Sequence, residues 1–224
     1  MSSVSLYWAI QVNNLLGAFE LKGANSNLKN DGFEPKVIYD IGCCVLHWTT
    51  IAQQLWPNAK IILFDAFTSA EFLYKDYDYF LGVLSREDNK IVKFYQNDIY
   101  PGGNSYYKEI GHSMSKELFT EENSSIRNTY KLDTIVNLKN FPLPDLGKID
   151  VQGSEKDVIM GGINTLKNTT HLIVELQHVQ YNENAPLANE TIPFIENIGF
   201  KCIAPLFCNN GADGDYGFQK ILEL

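Results

Sequence analysis

The chain has 224 residues, 45% of them hydrophobic, which suffices for one well-buried α/β domain and not for two. Its formal charge of −9 argues against holding nucleic acid by its phosphates, which takes clustered Lys and Arg, and against an anionic membrane surface. The same balance favours a small ligand that is neutral or cationic. Four cysteines, with Cys43 beside Cys44 and Cys202 six residues before Cys208, fit neither a disulfide framework nor a zinc pattern. No metal is therefore expected, and the thiols are read as reduced in a cytoplasmic protein.

In chain order, Val4 to Phe19 carries apolar residues at helical spacing without a basic leader or a continuous apolar span. It is read as an amphipathic cap helix, so that residues 1–35 are an N-terminal helix and loop ahead of a core over 36–224. Val37 to Ile41 is a short apolar run ending at Gly42, and Val45 to Trp56 follows with helical periodicity. Ile61 to Phe64 gives the next run, with a helical stretch over Ser69 to Tyr74. Further strands are expected at Phe80–Leu84, Ile91–Tyr95, Gly147–Val151, Leu172–Leu176, Cys202–Leu206 and Phe218–Leu222, and helices at Glu155–Leu166 and Ile192–Ile198. Short apolar runs alternating with helices imply βαβ units and a mainly parallel sheet. Turn formers from Cys208 to Asp215 leave no helix between the last two runs, so the sheet should close in an antiparallel hairpin. Asn97 to Asn128 is the irregular stretch. Its Gly-rich opening, Pro101 to Tyr107, is favoured as functional, and its polar remainder is either a lid or merely mobile.

Three carboxylates stand at strand ends: Asp40, Asp65 and Asp150. Ligands of open α/β sheets bind outside the carboxyl ends of the strands, so the three together mark a site. A dinucleotide fingerprint needs three glycines, but only Gly42 is present, with Cys44 and His47 in the other two places. Asp40 would repel a phosphate. A ligand with a ribose, positive charge and no phosphate fits better, and S-adenosylmethionine has those properties. Asp65 is placed to accept hydrogen bonds from ribose hydroxyls, although NAD folds use an acid there too and a helix N-cap is the plainer role.

These pieces resemble the FkbM-type family of S-adenosylmethionine-dependent methyltransferases. Asp40-Ile41-Gly42 is similar to the family's first motif, Phe64-Asp65-Ala66 to its ribose acid, and Leu132-Asp133-Thr134 to the segment before its fourth strand. Ile149 to Glu155 is similar to its most distinctive motif, and Val174-Glu175-Leu176 to its fifth strand end. The likeness runs from Val37 to Leu222. It implies a class I methyltransferase fold: a Rossmann-like, seven-stranded, mainly parallel sheet with a terminal antiparallel hairpin and helices on both faces. It also implies S-adenosylmethionine as cofactor, held by Asp40, Gly42, Cys43, Asp65, Ala66, Asn104 and Ser105. Tyr106, Gln152 and Gln177 are expected at the acceptor, and Asp150, Glu175 and His178 are the catalytic candidates. Asp150 holds donor, acceptor or proton; His178 is a base or a structural histidine. Asn104 to Tyr106 also reads as an ordinary turn followed by packing tyrosines. The chain departs from the family pattern at Cys44 for Asn, Leu46 for Gly, Gln152 for Glu and Gln177 for His.

The expected function is O-methylation of a hydroxyl on a sugar, glycan precursor or small metabolite. An inactive cofactor-binding partner subunit is the second reading, and an NAD-dependent oxidoreductase the third.

Overall fold

A computed structural model describes residues 28–111, 114–209 and 211–221. The cap helix expected over Val4–Phe19 lies outside them. The strands are β1 (Val37–Ile41), β2 (Lys60–Asp65), β3 (Asp78–Leu81), β4 (Val83–Leu84) and β5 (Ile91–Tyr95), then β6 (Ser124–Tyr130), β7 (Leu146–Ile149), β8 (His171–Gln177), β9 (Phe200–Asn209) and β10 (Asp213–Lys220). Seven of them form one sheet in the order β3-β2-β1-β7-β8-β10-β9. The first five of these pair in parallel, and β10 runs antiparallel to both β8 and β9. This is the expected class I methyltransferase sheet with its terminal hairpin.

The central strands read as unbroken apolar runs because both of their faces are covered. Ile61 to Phe64 in β2 are all buried, as are Ile38 to Ile41 in β1. The helices are α1 (His47–Leu55), α2 (Ser115–Leu118), α3 (Leu132–Lys139), α4 (Glu155–Gly161), α5 (Ile163–Leu166) and α6 (Ala188–Asn197). On one face α1 packs Trp48 and Ala52 with Ile38, Ile61 and Leu63. On the other, α3 to α6 pack Ile135, Val158, Leu166 and Ile195 with Tyr39, Ile62 and Leu172.

Several expected elements are corrected. Phe80–Leu84 is two strands: β3 extends the main sheet, and beyond Gly82 the chain joins a separate three-stranded sheet, β4-β6-β5. The stretch from Asn97 to Asn128 is not irregular throughout. It holds a 3-10 turn at Pro101–Gly103, α2 and most of β6. β6 escapes pattern reading because its apolar Ile126 faces solvent while Thr129 is buried. Leu132 opens a full helix, α3, rather than a short segment. Ser69–Tyr74 is a 3-10 helix over Thr68–Leu73. The helix expected over Glu155–Leu166 breaks at Gly161-Gly162, where a Cβ would stand 2.1 Å from the Ser85 carbonyl oxygen or 2.7 Å from Leu132. α6 begins four residues before Ile192 and carries Pro193 inside it.

Candidate functional site

β1 lies between β2, the next strand in sequence, and β7, which follows only after the second sheet. The chain therefore leaves β1 towards one side and returns on the other, and a crevice opens at the carboxyl ends of these strands. A cavity of about 330 Å³ occupies it, within the range of small-ligand sites. Asp40, Gly42, Cys43, Asp65, Ala66, Asn104, Ser105, Tyr106, Asp150 and Gln152 all line it. Ten residues expected at one site, spread over more than a hundred positions of sequence, are thus brought together.

The floor is set by Gly42. Its φ is +88°, and a Cβ there would lie 1.7 Å from the carbonyl oxygen of Asp150, so only glycine lets β1 turn beneath the end of β7. Two further residues of this loop, Cys44 (φ 47°) and Leu46 (φ 67°), also take left-handed backbone. They stand where the family pattern often has Asn and Gly, so the conformation persists without the residues that adopt it most easily, at about 1–2 kcal/mol each. Part of that is offset by two hydrogen bonds: the Cys44 N–H donates to Asp65 at 2.6 Å, and the Tyr74 hydroxyl donates to the Cys44 carbonyl.

Asp65 also accepts from the N–H of Phe67 at 2.7 Å, ahead of the 3-10 helix. Asp65 is not the N-cap of that helix, whose cap position is Phe67 with no side-chain cap bond. Its two bonds are to loop N–H groups, and each carboxylate oxygen keeps a lone pair for a ligand. Burial raises the Asp65 carboxyl above its ordinary value. Asp40 is buried outright and accepts from the Thr49 hydroxyl; burial pushes it up to about 7.

Behind Asp150 lies a cluster that sequence reading missed. Lys148, 2% exposed, reaches Asp215 at 2.6 Å and Asp150 at 3.4 Å. Gln152 donates its amide N–H groups to Asp150 at 2.9 Å and to Glu175 at 2.6 Å. Burial raises Asp150, but the Lys148 ammonium and these donors outweigh it and hold the carboxyl below its ordinary value. Burial and the neighbouring Asp150 charge push Glu175 well up, so Glu175 carries the proton of that pair. The available signal was a charge inside the apolar run Gly147-Lys148-Ile149; a lysine is almost never fully buried unless paired. Nothing local pointed to Asp215, which arrives from β10, 67 residues away.

The wall opposite is the loop from Tyr100 to Tyr107. The Ser105 hydroxyl donates to the Val151 carbonyl at 3.4 Å, and the Asn97 N–H donates to the Asn104 side chain at 2.6 Å. The hydroxyls of Tyr106 and Tyr107 both donate to Asp157 of α4, at 2.8 and 3.0 Å. Glu155 accepts from the N–H groups of Val151 and Gly153 at 3.0 and 3.1 Å and so fixes the turn after β7. Burial pushes Glu155 up to about 7.

Three expected site residues do not line the cavity. Glu175 stands one residue behind it, across Gln152. Gln177 is buried and donates to Asn182 at 2.6 Å, which in turn donates to the Tyr107 carbonyl at 2.8 Å. His178 follows the end of β8, with one ring nitrogen 2.8 Å from the Tyr216 hydroxyl and the other 3.3 Å from the Gly211 carbonyl. Among the described residues, no cluster of three or more His, Cys, Asp or Glu is placed to hold a metal.

The donor set fits a cationic ligand with a ribose: three carboxylates line the cavity, and its one buried ammonium is already paired. A family model described as the methyltransferase FkbM domain matches residues 40–202. No curated protein matches the chain. Among solved structures, a candidate O-methyltransferase from Klebsiella pneumoniae is 11% identical, with a TM-score of 0.50, covering 99% of this chain and 92% of that one. The O-methyltransferase TomG from Streptomyces achromogenes, solved with S-adenosylmethionine, is 10% identical with the same TM-score and coverage. At such identities these two likenesses speak for the fold alone.

Proposed function

The chain belongs to the methyltransferase FkbM domain family, and from that premise we propose that it transfers a methyl group from S-adenosylmethionine to a hydroxyl of a sugar, glycan precursor or small metabolite. The observation that carries this reading is the convergence of Asp40, Asp65 and Asp150 on one cavity at the switch point of the sheet. S-adenosylmethionine supplies a methyl group on a positively charged sulfur, whose departure needs no proton. The work of the chain is therefore alignment, where large rate factors arise.

Each residue has a task on this reading. Asp65 accepts from the ribose hydroxyls beside Ala66, and Asp40 and Asp150 face the cationic methionine end, with Gly42 and Cys43 beneath it. Asn104 and Ser105 close the cavity from the overhanging loop, and Tyr106 and Gln152 face the acceptor. Because Lys148 and Gln152 keep Asp150 ionised and weakly basic, its task is to hold charge rather than to remove a proton. Glu175 and Gln177 support Gln152 and the turn after β7, and His178 supports the hairpin. Among the described residues, Cys43 and Cys44 are free thiols, which suits a reducing cytoplasm. Among the described residues, no helix is long and apolar enough to cross a membrane.

Calorimetry with S-adenosylmethionine and with NAD, followed by radiolabelled methyl transfer to a panel of sugar and metabolite acceptors, tests the proposal. Heat with S-adenosylmethionine alone and label on a hydroxyl compound is the expected outcome. Absence of heat at high cofactor concentration refutes it, and binding without transfer to any acceptor favours a partner subunit without turnover.

A further inference from the structure

The cavity supplies carboxylates in excess, yet the cofactor of the proposed reaction also carries one anion, the carboxylate of its methionine end. Most N–H and O–H donors lining the cavity are already committed. The Cys44 N–H serves Asp65, the Gly42 N–H serves the Phe64 carbonyl, Lys148 serves Asp215 and Asp150, and the Gln152 amide serves Asp150 and Glu175. Against this background two buried donors on cavity-lining residues have no hydrogen-bond partner: the side-chain amide of Asn104 on the overhanging loop, and the indole N–H of Trp48, a residue only 5% exposed. A buried donor without a partner is destabilising, so it persists where something outside the chain completes it.

A second observation concerns the same place. Trp48 is the second residue of α1, a nine-residue helix with no acid in its first turn and no side-chain cap at its N-terminus. The N-terminal turn of a helix presents unpaired N–H groups and partial positive charge, which favour an anion. An uncapped helix start and an unpaired indole N–H thus meet at one end of a cavity otherwise walled by acids. From these we infer that Trp48 binds the methionine carboxylate of S-adenosylmethionine through its Nε1–H, beside the first turn of α1, and so orients the donor with its cationic centres towards Asp40 and Asp150. The inference rests on the methyl-donor reading above and adds to it the residue that reads the cofactor's single negative charge.

The test compares S-adenosylmethionine with its decarboxylated analogue by calorimetry, on the full chain and on Trp48→Phe, which keeps an aromatic ring, though a smaller one, and removes the N–H. In the parent, the carboxylated form is expected to bind about 10- to 100-fold more tightly, the range of a hydrogen bond between a donor and a charged acceptor. Trp48→Phe should lose most of that preference by weakening S-adenosylmethionine alone. Equal parental affinity for the two ligands overturns the inference without any variant. So does a Trp48→Phe that weakens both ligands alike, which is a packing effect, or one that weakens neither. A parent that binds neither ligand overturns the cofactor reading itself.

Discussion

Lys148→Met is the most demanding perturbation of the architecture beneath the site. Lys148 is 2% exposed, 2.6 Å from Asp215 and 3.4 Å from Asp150. At an effective dielectric of about 20, these contacts amount to about 6 and 5 kcal/mol of Coulomb attraction, most of which the cost of burying the ammonium offsets. Removing the cation leaves Asp215 and Asp150 facing each other without compensation, so the expected loss is about 3–5 kcal/mol at pH 8. That is a large share of the stability of an ordinary domain. The pH dependence has a definite sign. In the parent, the lowered carboxyl of Asp150 contributes stability present above its unfolded pKa of 3.8 and lost as pH falls below it. In the variant burial raises the orphaned Asp150 carboxyl instead, so it takes up a proton on acidification and the deficit shrinks between pH 8 and pH 5. Urea denaturation of parent, Lys148→Met, Asp215→Asn and the double variant at both pH values measures this. The double variant should be less destabilised than Lys148→Met by at least about 1 kcal/mol. A deficit under about 1 kcal/mol, or one that does not change with pH, would show that the cluster is not held by this ammonium.

Gly42→Ala should abolish cofactor binding and destabilise the fold, because its Cβ would lie 1.7 Å from the Asp150 carbonyl oxygen; a thermal melt and calorimetry check both. Asp65→Asn loses the charge and keeps an oxygen for only one of the N–H groups of Cys44 and Phe67, which bond different carboxylate oxygens, so cofactor affinity should fall about 10- to 100-fold and the melting temperature should fall as well. Burial keeps Asp40 neutral below a pKa of about 7, so affinity for a cationic cofactor should rise as pH increases through 7 with release of a proton. In Asp40→Asn that slope should vanish, and an unchanged slope would assign it to another group. Asp150→Ala should remove turnover, whereas His178→Ala should leave cofactor affinity within about twofold; labelled transfer and calorimetry tell the two apart.

The strand-end acids were legible because a parallel sheet makes them so. Its central strands are covered on both faces and must be apolar, so a carboxylate closing Val37–Ile41 or Ile61–Phe64 stands out, and Gly42 marks where the backbone turns under β7. The order of these segments and the turn formers before Phe218 carried the sheet and its terminal hairpin. What the sequence could not declare is what distant segments do to one another. Lys148 meets Asp215 across 67 residues because β8 separates β7 from β10 in the sheet, and their pairing fixes the charge state of Asp150. β6 hid because its apolar Ile126 faces solvent while its buried Thr129 is polar, although it is the central strand of its sheet, and α3 because its two turns are short, packed by Leu132, Ile135 and Val136. Local pattern reports which faces of a segment are buried, and it chose the fold and most of the cavity wall. The protonation of Asp150 and Glu175, the position of His178 away from the cavity and the unpaired indole of Trp48 depend on which segments become neighbours, and only the tertiary structure decided those.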